Sequence, residues 1–217
     1  MVIEFFSNEM LLVKLNAEVD SLLAEKHFVR GYPTLLMIDK DGVEVDRLVG
    51  YADAPEFVET FRNYAKGIGT LDDLVHRADT ATSDDPALFF QIADKYKYRG
   101  QGDQAIVWYQ RIIDTGEPLD SLTGEARIAL ADALRSAEQY DQSIAAFRKI
   151  AADFKGGPIG QDAEIWTAIA YRDKGDTTQS VKEFETFIKN YPEHDAVGYC
   201  KGQISKLTGV PLAEEEK

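Results

Sequence analysis

The chain has 217 residues, a length between those typical of one domain and of two. Hydrophobic residues make up 44% of it and charged residues 29%, so it has enough apolar side chains for a sizeable core. Its formal net charge of −14 argues against nucleic acid or an anionic membrane surface as a partner, because binding phosphates requires clustered Lys and Arg. No apolar run approaches the roughly 20 residues of a transmembrane helix, so membrane insertion is not expected.

The N-terminus and the cysteine content bear on the compartment. The first residues have no basic start and include Glu4, unlike a secretory signal, which predicts a cytoplasmic protein by default. If the natural start lies upstream of Met1, an export signal there would make the protein periplasmic or exported. Cys200 is the only cysteine, so no internal disulfide is expected, and its place on an apolar stripe predicts a packing role for the thiol.

The first 65 residues alternate between strand and helix periodicity, which predicts an α/β segment. The expected order is strand, helix, hairpin and helix, at residues 11–15, 18–28, 34–38, 43–48 and 54–64. Gly42 lies in the hairpin turn, where it is free to take a positive φ, and Pro55 suits the first turn of the last helix. Residues 66–85 contain a Gly-rich start and a polar stretch of Asp and Thr, and they are predicted to form a linker with one short helix.

Residues 86–210 have helical periodicity throughout, and their pattern repeats. Small residues recur at Ala105, Ser143 and Ser180, at intervals of 38 (143 − 105) and 37 (180 − 143). Each has an alanine twelve positions before it and an aromatic residue four positions after it. The alanines are Ala93, Ala131 and Ala168, and the aromatic residues are Tyr109, Phe147 and Phe184.

This pattern resembles the tetratricopeptide (TPR) family, whose repeat of about 34 residues has small and aromatic positions in this order. The resemblance implies three two-helix repeats. Apolar residues in helical register predict a capping helix at residues 193–207, and residues 211–217 are predicted to be an acidic tail. A two-helix unit cannot bury its apolar stripe alone, so the repeats are expected to stack as a solenoid. In the second helix of the first repeat the predicted stripe is Ala105, Ile106, Tyr109, Ile112 and Ile113.

The repeat register places Lys97, Arg135 and Arg172 at one equivalent position on the inner helices, and Asp94 and Asp132 precede the first two by three residues. Two interpretations remain open. The cations form a ladder on the concave face that accepts an acidic peptide or a C-terminal carboxylate, or the residues form i,i+3 ion pairs within their helices.

The run from residue 14 to residue 50 carries a second resemblance. The segments Lys14-Leu-Asn16, Val29-Arg-Gly-Tyr-Pro-Thr34 and Val49-Gly50 occur in the order seen in the second half of a thioredoxin. The resemblance implies a cis proline at Pro33, because proline is the residue that adopts this isomer at low cost. It also implies a peptide-binding loop at Gly31, Tyr32, Pro33 and Thr34, in which the backbone of Tyr32 pairs with an extended peptide.

The first half of a thioredoxin, including its C-x-x-C and its leading strand, has no counterpart here. In that family the strand carrying the cysteines lies between those matching residues 11–15 and 35–38, and its absence leaves backbone groups without partners. By the same resemblance, residues 2–6 look like the tail of the helix that follows the cysteines. Three alternatives remain open: poor order, a strand supplied by another chain with self-association through the open edge, or re-pairing of residues 2–6 as a strand. The pattern favours Met1 as an internal or misassigned start.

The expected fold is α+β and mainly α: an incomplete thioredoxin-like α/β segment at 1–65, followed by an all-α TPR-like solenoid. The expected function is a non-catalytic module that binds other proteins or extended peptides. No cofactor is expected, and no metal, since the three histidines lack ligand spacing. Two alternatives stay open: the C-terminal part of a thiol-disulfide oxidoreductase whose C-x-x-C lies upstream of Met1, and a structural assembly subunit.

Overall fold

The computed structural model describes residues 2–210, so the predicted acidic tail at 211–217 lies outside the described part. The described chain is mainly helical with one two-stranded antiparallel sheet, which confirms the predicted fold class. It divides into two compact units, Met1–Arg111 and Ile112–Lys217. The division falls within the helix Gly102–Thr115, the second helix of the first predicted repeat.

The first unit begins with α1, α2 and a β-hairpin and continues with helices. Its elements are α1 (Val2–Glu9), α2 (Ser21–Lys26), β1 (Thr34–Ile38), β2 (Glu44–Val49), α3 (Ala54–Ala65), α4 (Leu71–Thr80), α5 (Pro86–Tyr98) and most of α6 (Gly102–Thr115). In the second unit consecutive helices pack against each other. These are α7 (Ser121–Ser136), α8 (Tyr140–Asp153), α9 (Pro158–Lys174), α10 (Thr177–Asn190) and α11 (Val197–Thr208).

The hairpin and the helix after it form as the sequence predicts. Leu35 of β1 is opposite Leu48 of β2, with one irregularity near the turn, and Gly42 takes a φ of +82°. The side chain of Asp53 accepts a hydrogen bond from the backbone N–H of Glu56 and so caps α3. One face of the hairpin packs against α1 and α3 through an apolar cluster. Its buried members are Phe5, Phe57, Val58 and Phe61.

Two expectations for the first 28 residues are wrong, and one of the three open alternatives is not realised. Residues 11–15 form no strand, and Leu11 is 91% exposed. A strand needs a neighbour for its backbone groups, and the only sheet among the described residues consists of β1 and β2. The helix predicted at 18–28 is limited to Ser21–Lys26. Residues 2–6 do not form a strand. They belong to α1, and Phe5 of this helix is buried against the apolar side chains of α3.

The repeat spacing has a direct structural explanation in the second unit. The buried hydroxyl of Ser143 on α8 donates a hydrogen bond of 2.7 Å to the carbonyl of Ala131 on α7. Ser180 on α10 donates in the same way to the carbonyl of Ala168 on α9, at 2.9 Å. The twelve-residue interval therefore marks the point where the two helices of a repeat approach closely, which only small side chains permit.

In the first repeat the same interval joins Ala93 of α5 and Ala105 of α6, both buried. The predicted stripe of α6 needs one correction. Ile106 is exposed, and Trp108 is buried in its place, with its ring centroid 5.6 Å from that of Phe89. A helix face about 100° wide includes positions 105, 108, 109 and 112 in sequence, whereas position 106 lies outside it.

A buried carboxylate, which the sequence does not reveal, connects the hairpin to the helices of the first unit. Asp46 of β2 is 0% exposed, and its Oδ1 lies 2.9 Å from Nζ of Lys95 and 3.2 Å from a guanidinium nitrogen of Arg99. Its Oδ2 accepts a 2.6 Å hydrogen bond from the backbone N–H of Leu71 at the start of α4. Leu71 begins α4, which lies within the segment 66–85. Its hydrogen bond to Asp46 therefore anchors that segment to the hairpin.

Candidate functional site

The loop before β1 has the geometry that the thioredoxin resemblance implies at one bond, since the Tyr32–Pro33 peptide is cis. Two hydrogen bonds hold the loop. Thr34 Oγ1 donates to the carbonyl of Gly31 at 2.7 Å, and the backbone N–H of Gly50 donates to the carbonyl of Pro33 at 2.9 Å. Tyr32 is 72% exposed, whereas Gly31 and Thr34 are half-buried. The loop therefore presents Tyr32 to solvent from a fixed backbone.

A continuous polar ladder crosses three helices of the second unit. On α7, Arg135 Nε donates to Asp132 at 2.8 Å, and the same guanidinium bonds to Asp173 of α9. On α9, Arg172 donates to Asp173 at 2.9 Å and to the side-chain oxygen of Gln203 on α11 at 3.0 Å. We call Asp132, Arg135, Asp173, Arg172 and Gln203 the polar ladder. Its two arginines alternate with two aspartates, so its formal charge balances.

An aromatic ring lies against the polar ladder. The Arg135 guanidinium carbon is 5.5 Å from the ring centroid of Trp166 on α9, and Trp166 stacks on the buried Phe147 of α8 with ring centroids 6.0 Å apart. Burial lowers the pKa of Arg135, but its hydrogen bonds to Asp132 and Asp173 outweigh burial and raise the pKa above its ordinary value. Arg135 is therefore a fixed cation held between two carboxylates and a half-buried indole.

The first unit holds the other two residues of the predicted site in a different arrangement. Asp94 accepts a 2.7 Å hydrogen bond from the hydroxyl of Tyr109, whereas Lys97 is exposed, with Nζ 6.0 Å from the ring centroid of Tyr98. Within residues 2–210, Asp94 and Lys97 form no ion pair with each other. Only the second of the two predicted i,i+3 pairs, Asp132 with Arg135, is present in that part.

The structure therefore brings Asp132, Arg135 and Arg172 together in the second unit. The sequence reasoning missed Asp173, Gln203 and Trp166. Asp173 could have been predicted from the sequence, because it follows Arg172 directly and lies one repeat length after the end of α7. No signal existed for Gln203, because α11 has no second helix from which to derive a register.

Cys200 is fully buried in the cluster between α9, α10 and α11. Burial raises the pKa of its thiol to about 11, so the neutral form dominates near neutral pH. Among residues 2–210, no three His, Cys, Asp or Glu side chains are grouped as metal ligands would be. Over the same residues, no helix combines the length and apolarity required to cross a bilayer.

Comparison with known proteins supports the repeat fold. Residues 129–202, about a third of the chain, match the family described as YfiO: Outer membrane lipoprotein. No curated protein matches the chain. A crystal structure described as "Podosopora anserina putative kinesin light chain nearly identical TPR-like repeats" is similar in fold, with a TM-score of 0.53 and 15% identity over 70% of this chain and 79% of that one.

A single-substitution variant of the same protein gives a TM-score of 0.54 and 15% identity, over 70% of this chain and 78% of the other. At this identity the likeness shows the fold alone. The chain therefore has a TPR-like helical repeat fold. Neither the family nor the two structures indicate a catalytic class.

Proposed function

We propose that this chain is a non-catalytic protein–protein interaction module whose TPR-like repeats bind an extended peptide along α7, α9 and α11. The observation that carries the proposal is the polar ladder with Trp166 beside it. The ladder offers donors and acceptors held in place by their mutual hydrogen bonds. The half-buried indole offers a rigid apolar contact, and interaction hot spots favour this combination.

The balanced charge of the ladder defines the kind of ligand. A peptide with both polar side chains and backbone amides exchanges hydrogen bonds with Arg135 and Asp173 without leaving a buried charge unpaired. A purely acidic tail or a lone C-terminal carboxylate must instead compete with the two aspartates for the arginines. We therefore favour an extended peptide of mixed polarity over the acidic ligand that the cations alone suggest.

Selection from a displayed library of random peptides, followed by calorimetry of the peptides obtained, tests this proposal. Arg135→Met is expected to weaken peptide binding by about tenfold or more, which is typical of an interface hot spot. The matched control is Arg148→Met. Arg148 also forms an ion pair, to Glu183 at 2.8 Å, and lies 5.4 Å from the ring of Tyr171, but it connects α8 and α10. Equal effects of the two substitutions would contradict the assignment of the surface.

The hairpin segment supports a second proposal, that residues 1–65 are the second half of a thioredoxin-like domain and that its C-x-x-C lies upstream of Met1. The apolar side chains at residues 11–15 favour it, because they are exposed and belong to no strand or helix. In that protein the loop Gly31, Tyr32, Pro33 and Thr34 contacts the peptide, and the chain is part of a thiol-disulfide oxidoreductase.

Reading the gene upstream of Met1 for an in-frame W-C-x-x-C separates the two proposals, and an upstream stretch without it removes the oxidoreductase. The 217-residue chain itself is expected to be inactive in insulin reduction. The same reading tests localisation. We propose export as the alternative to a cytoplasmic location, since the matching family is described as outer membrane lipoproteins, and an upstream signal sequence would support it.

Self-association through the open sheet edge is part of the partner proposal, and it would also suit a structural assembly subunit. Static light scattering distinguishes an assembly subunit from a monomeric adaptor.

A further inference from the structure

The outer edge of β2, which faces away from β1, is occupied by side chains of the first unit. The carbonyl of Val45 accepts a hydrogen bond from Arg99 at 3.3 Å, and the carbonyl of Arg47 accepts one from the hydroxyl of Tyr64 at 3.2 Å. The backbone N–H of Arg47 donates to Oδ1 of Asp46 at 2.7 Å. These contacts leave little room for another strand to pair along this edge.

The outer edge of β1 is open by comparison. The backbone N–H of Gly50 donates to the carbonyl of Pro33, and the backbone N–H of Asp39 donates to the carbonyl of Val43. The backbone N–H and C=O groups of the odd-numbered residues of β1 therefore point toward β2. In an antiparallel pair the hydrogen-bonded positions alternate, and the N–H and C=O of Thr34, Leu36 and Ile38 therefore point outward. Within residues 2–210 the only strand beside β1 is β2.

We propose that the outer edge of β1 is a homodimer interface, in which β1 pairs antiparallel with β1 of a second copy about a twofold axis at Leu36. Leu36 then exchanges both backbone hydrogen bonds with the partner subunit's Leu36, and Thr34 pairs with the partner subunit's Ile38. The apolar residues 35–37 at the centre form a self-complementary strand.

Charge complementarity selects a second copy in this orientation. The exposed Arg30 precedes β1, and the exposed Asp39, Lys40 and Asp41 follow it. Lys40 pairs with Asp41 at 2.7 Å, so the segment after β1 keeps one net negative charge against the positive charge before it. Antiparallel pairing places each Arg30 beside the partner subunit's Asp41, whereas parallel pairing would bring like charges together at both ends. Unlike charges that flank a strand pair stabilise it and fix its register, and like charges oppose it.

The contrast between the two edges limits the assembly to a dimer. A hairpin with two free edges adds copies without limit, which leads to open fibres. Here β2 is covered by Tyr64, Asp46 and Arg99, so among the strands of residues 2–210 the edge left for pairing is that of β1. The product is a four-stranded sheet in the order β2, β1, β1, β2, which has no uncovered edge for further growth.

This inference deepens the proposed self-association and is independent of peptide binding by the polar ladder. Sedimentation velocity on the 217-residue chain, from low micromolar concentrations upward, is expected to show a monomer–dimer equilibrium. Leu36→Pro removes an outward N–H, which the β1–β2 ladder does not use, and proline is tolerated on edge strands in this position. This variant is expected to be monomeric with an unchanged circular dichroism spectrum.

Charge reversal provides a test that does not depend on proline. Arg30→Glu and Asp41→Lys are each expected to raise the dimer dissociation constant about tenfold or more, and the double variant is expected to restore it. Arg135→Met, on the polar ladder, is the reference and should leave the mass unchanged. The proposal would be overturned by a series of larger oligomers, or by a dimer that survives both Leu36→Pro and the single reversals. A chain that remains monomeric would also overturn it, and would indicate that a different strand pairs with this edge.

Discussion

The two compact units satisfy their buried polar groups in different ways. In the second unit, a serine hydroxyl in each repeat donates to the carbonyl of an alanine twelve residues earlier, and the same contact recurs at Ser143 and Ser180. In the first unit, the carboxylate of Asp46 is surrounded by Lys95, Arg99 and the start of α4, which come from distant parts of the chain. Short-range contacts that repeat can be read from a sequence, and long-range networks that occur once cannot.

The two tryptophans make the comparison measurable, because Trp108 lies in the first unit and Trp166 in the second. Fluorescence of Trp108 in a Trp166→Phe background reports unfolding of the first unit, and the reciprocal variant reports the second. Each effect below is therefore expected in one unit and not in the other.

The largest effect is expected from Asp46→Asn. The amide keeps an acceptor for the N–H of Leu71 but leaves Lys95 without its counter-charge and Arg99 with only Glu44, whose carboxylate lies 3.4 Å from the guanidinium. Breaking a buried ion pair in this way typically costs about 3–5 kcal/mol. Urea denaturation followed through Trp108 measures the loss. Asp41→Asn, at an exposed turn position, is the control and should change the free energy of unfolding by less than about 0.5 kcal/mol.

A smaller effect is expected from Gly100→Ala in the turn between α5 and α6. Gly100 has a φ of +73°, and a methyl group there would lie 2.2 Å from the ring of Phe28. Backbone strain and overpacking together predict a loss of about 2–4 kcal/mol in the first unit. Gly102→Ala is the matched control, because no atom lies within 4 Å of its added methyl group. If both substitutions were equally mild, the packing of Phe28 on this turn would be wrong.

Ser143→Ala is expected to cost about 1 kcal/mol, and only in the second unit. It removes one buried hydrogen bond to the carbonyl of Ala131, which retains its place in α7, and alanine already occupies the equivalent position 105. Denaturation followed through Trp166 measures this change, with the exposed Ser136→Ala as control. A loss as large as that of Asp46→Asn would remove the distinction between local and long-range contacts.

The smallest effect concerns Cys200, whose burial raises the thiol pKa to about 11. Well below pH 9, the ordinary pKa of the thiol, the group is protonated in both the folded and the unfolded state and makes no pH-dependent contribution. Between pH 9 and 11 the unfolded chain releases the proton while the folded chain retains it, so stability falls as pH rises through this window. Cys200→Ala should lack this contribution, and at neutral pH the native thiol should react with an aromatic disulfide only as fast as the second unit unfolds.

The repeats could be predicted from the sequence, because the contacts that define them join residues close together in the chain. Helical periodicity gave the seven helices from α5 to α11 in the described chain, and the spacing of small residues gave the helix contacts. The strand prediction failed at residues 11–15, where an apolar run typical of a strand is exposed. A strand depends on a neighbour, and periodicity says nothing about whether that neighbour is present.

The candidate site divides along the same line. The register alone placed Asp132, Arg135 and Arg172 at related positions, but only the packing of α7, α9 and α11 showed that Asp173 lies between the two arginines and that Trp166 lies beside them. Composition and period thus determined the repeat fold, the hairpin and an acidic chain. Tertiary structure decided which charges are neutralised and which strand edge stays open, because both depend on groups that are distant in sequence.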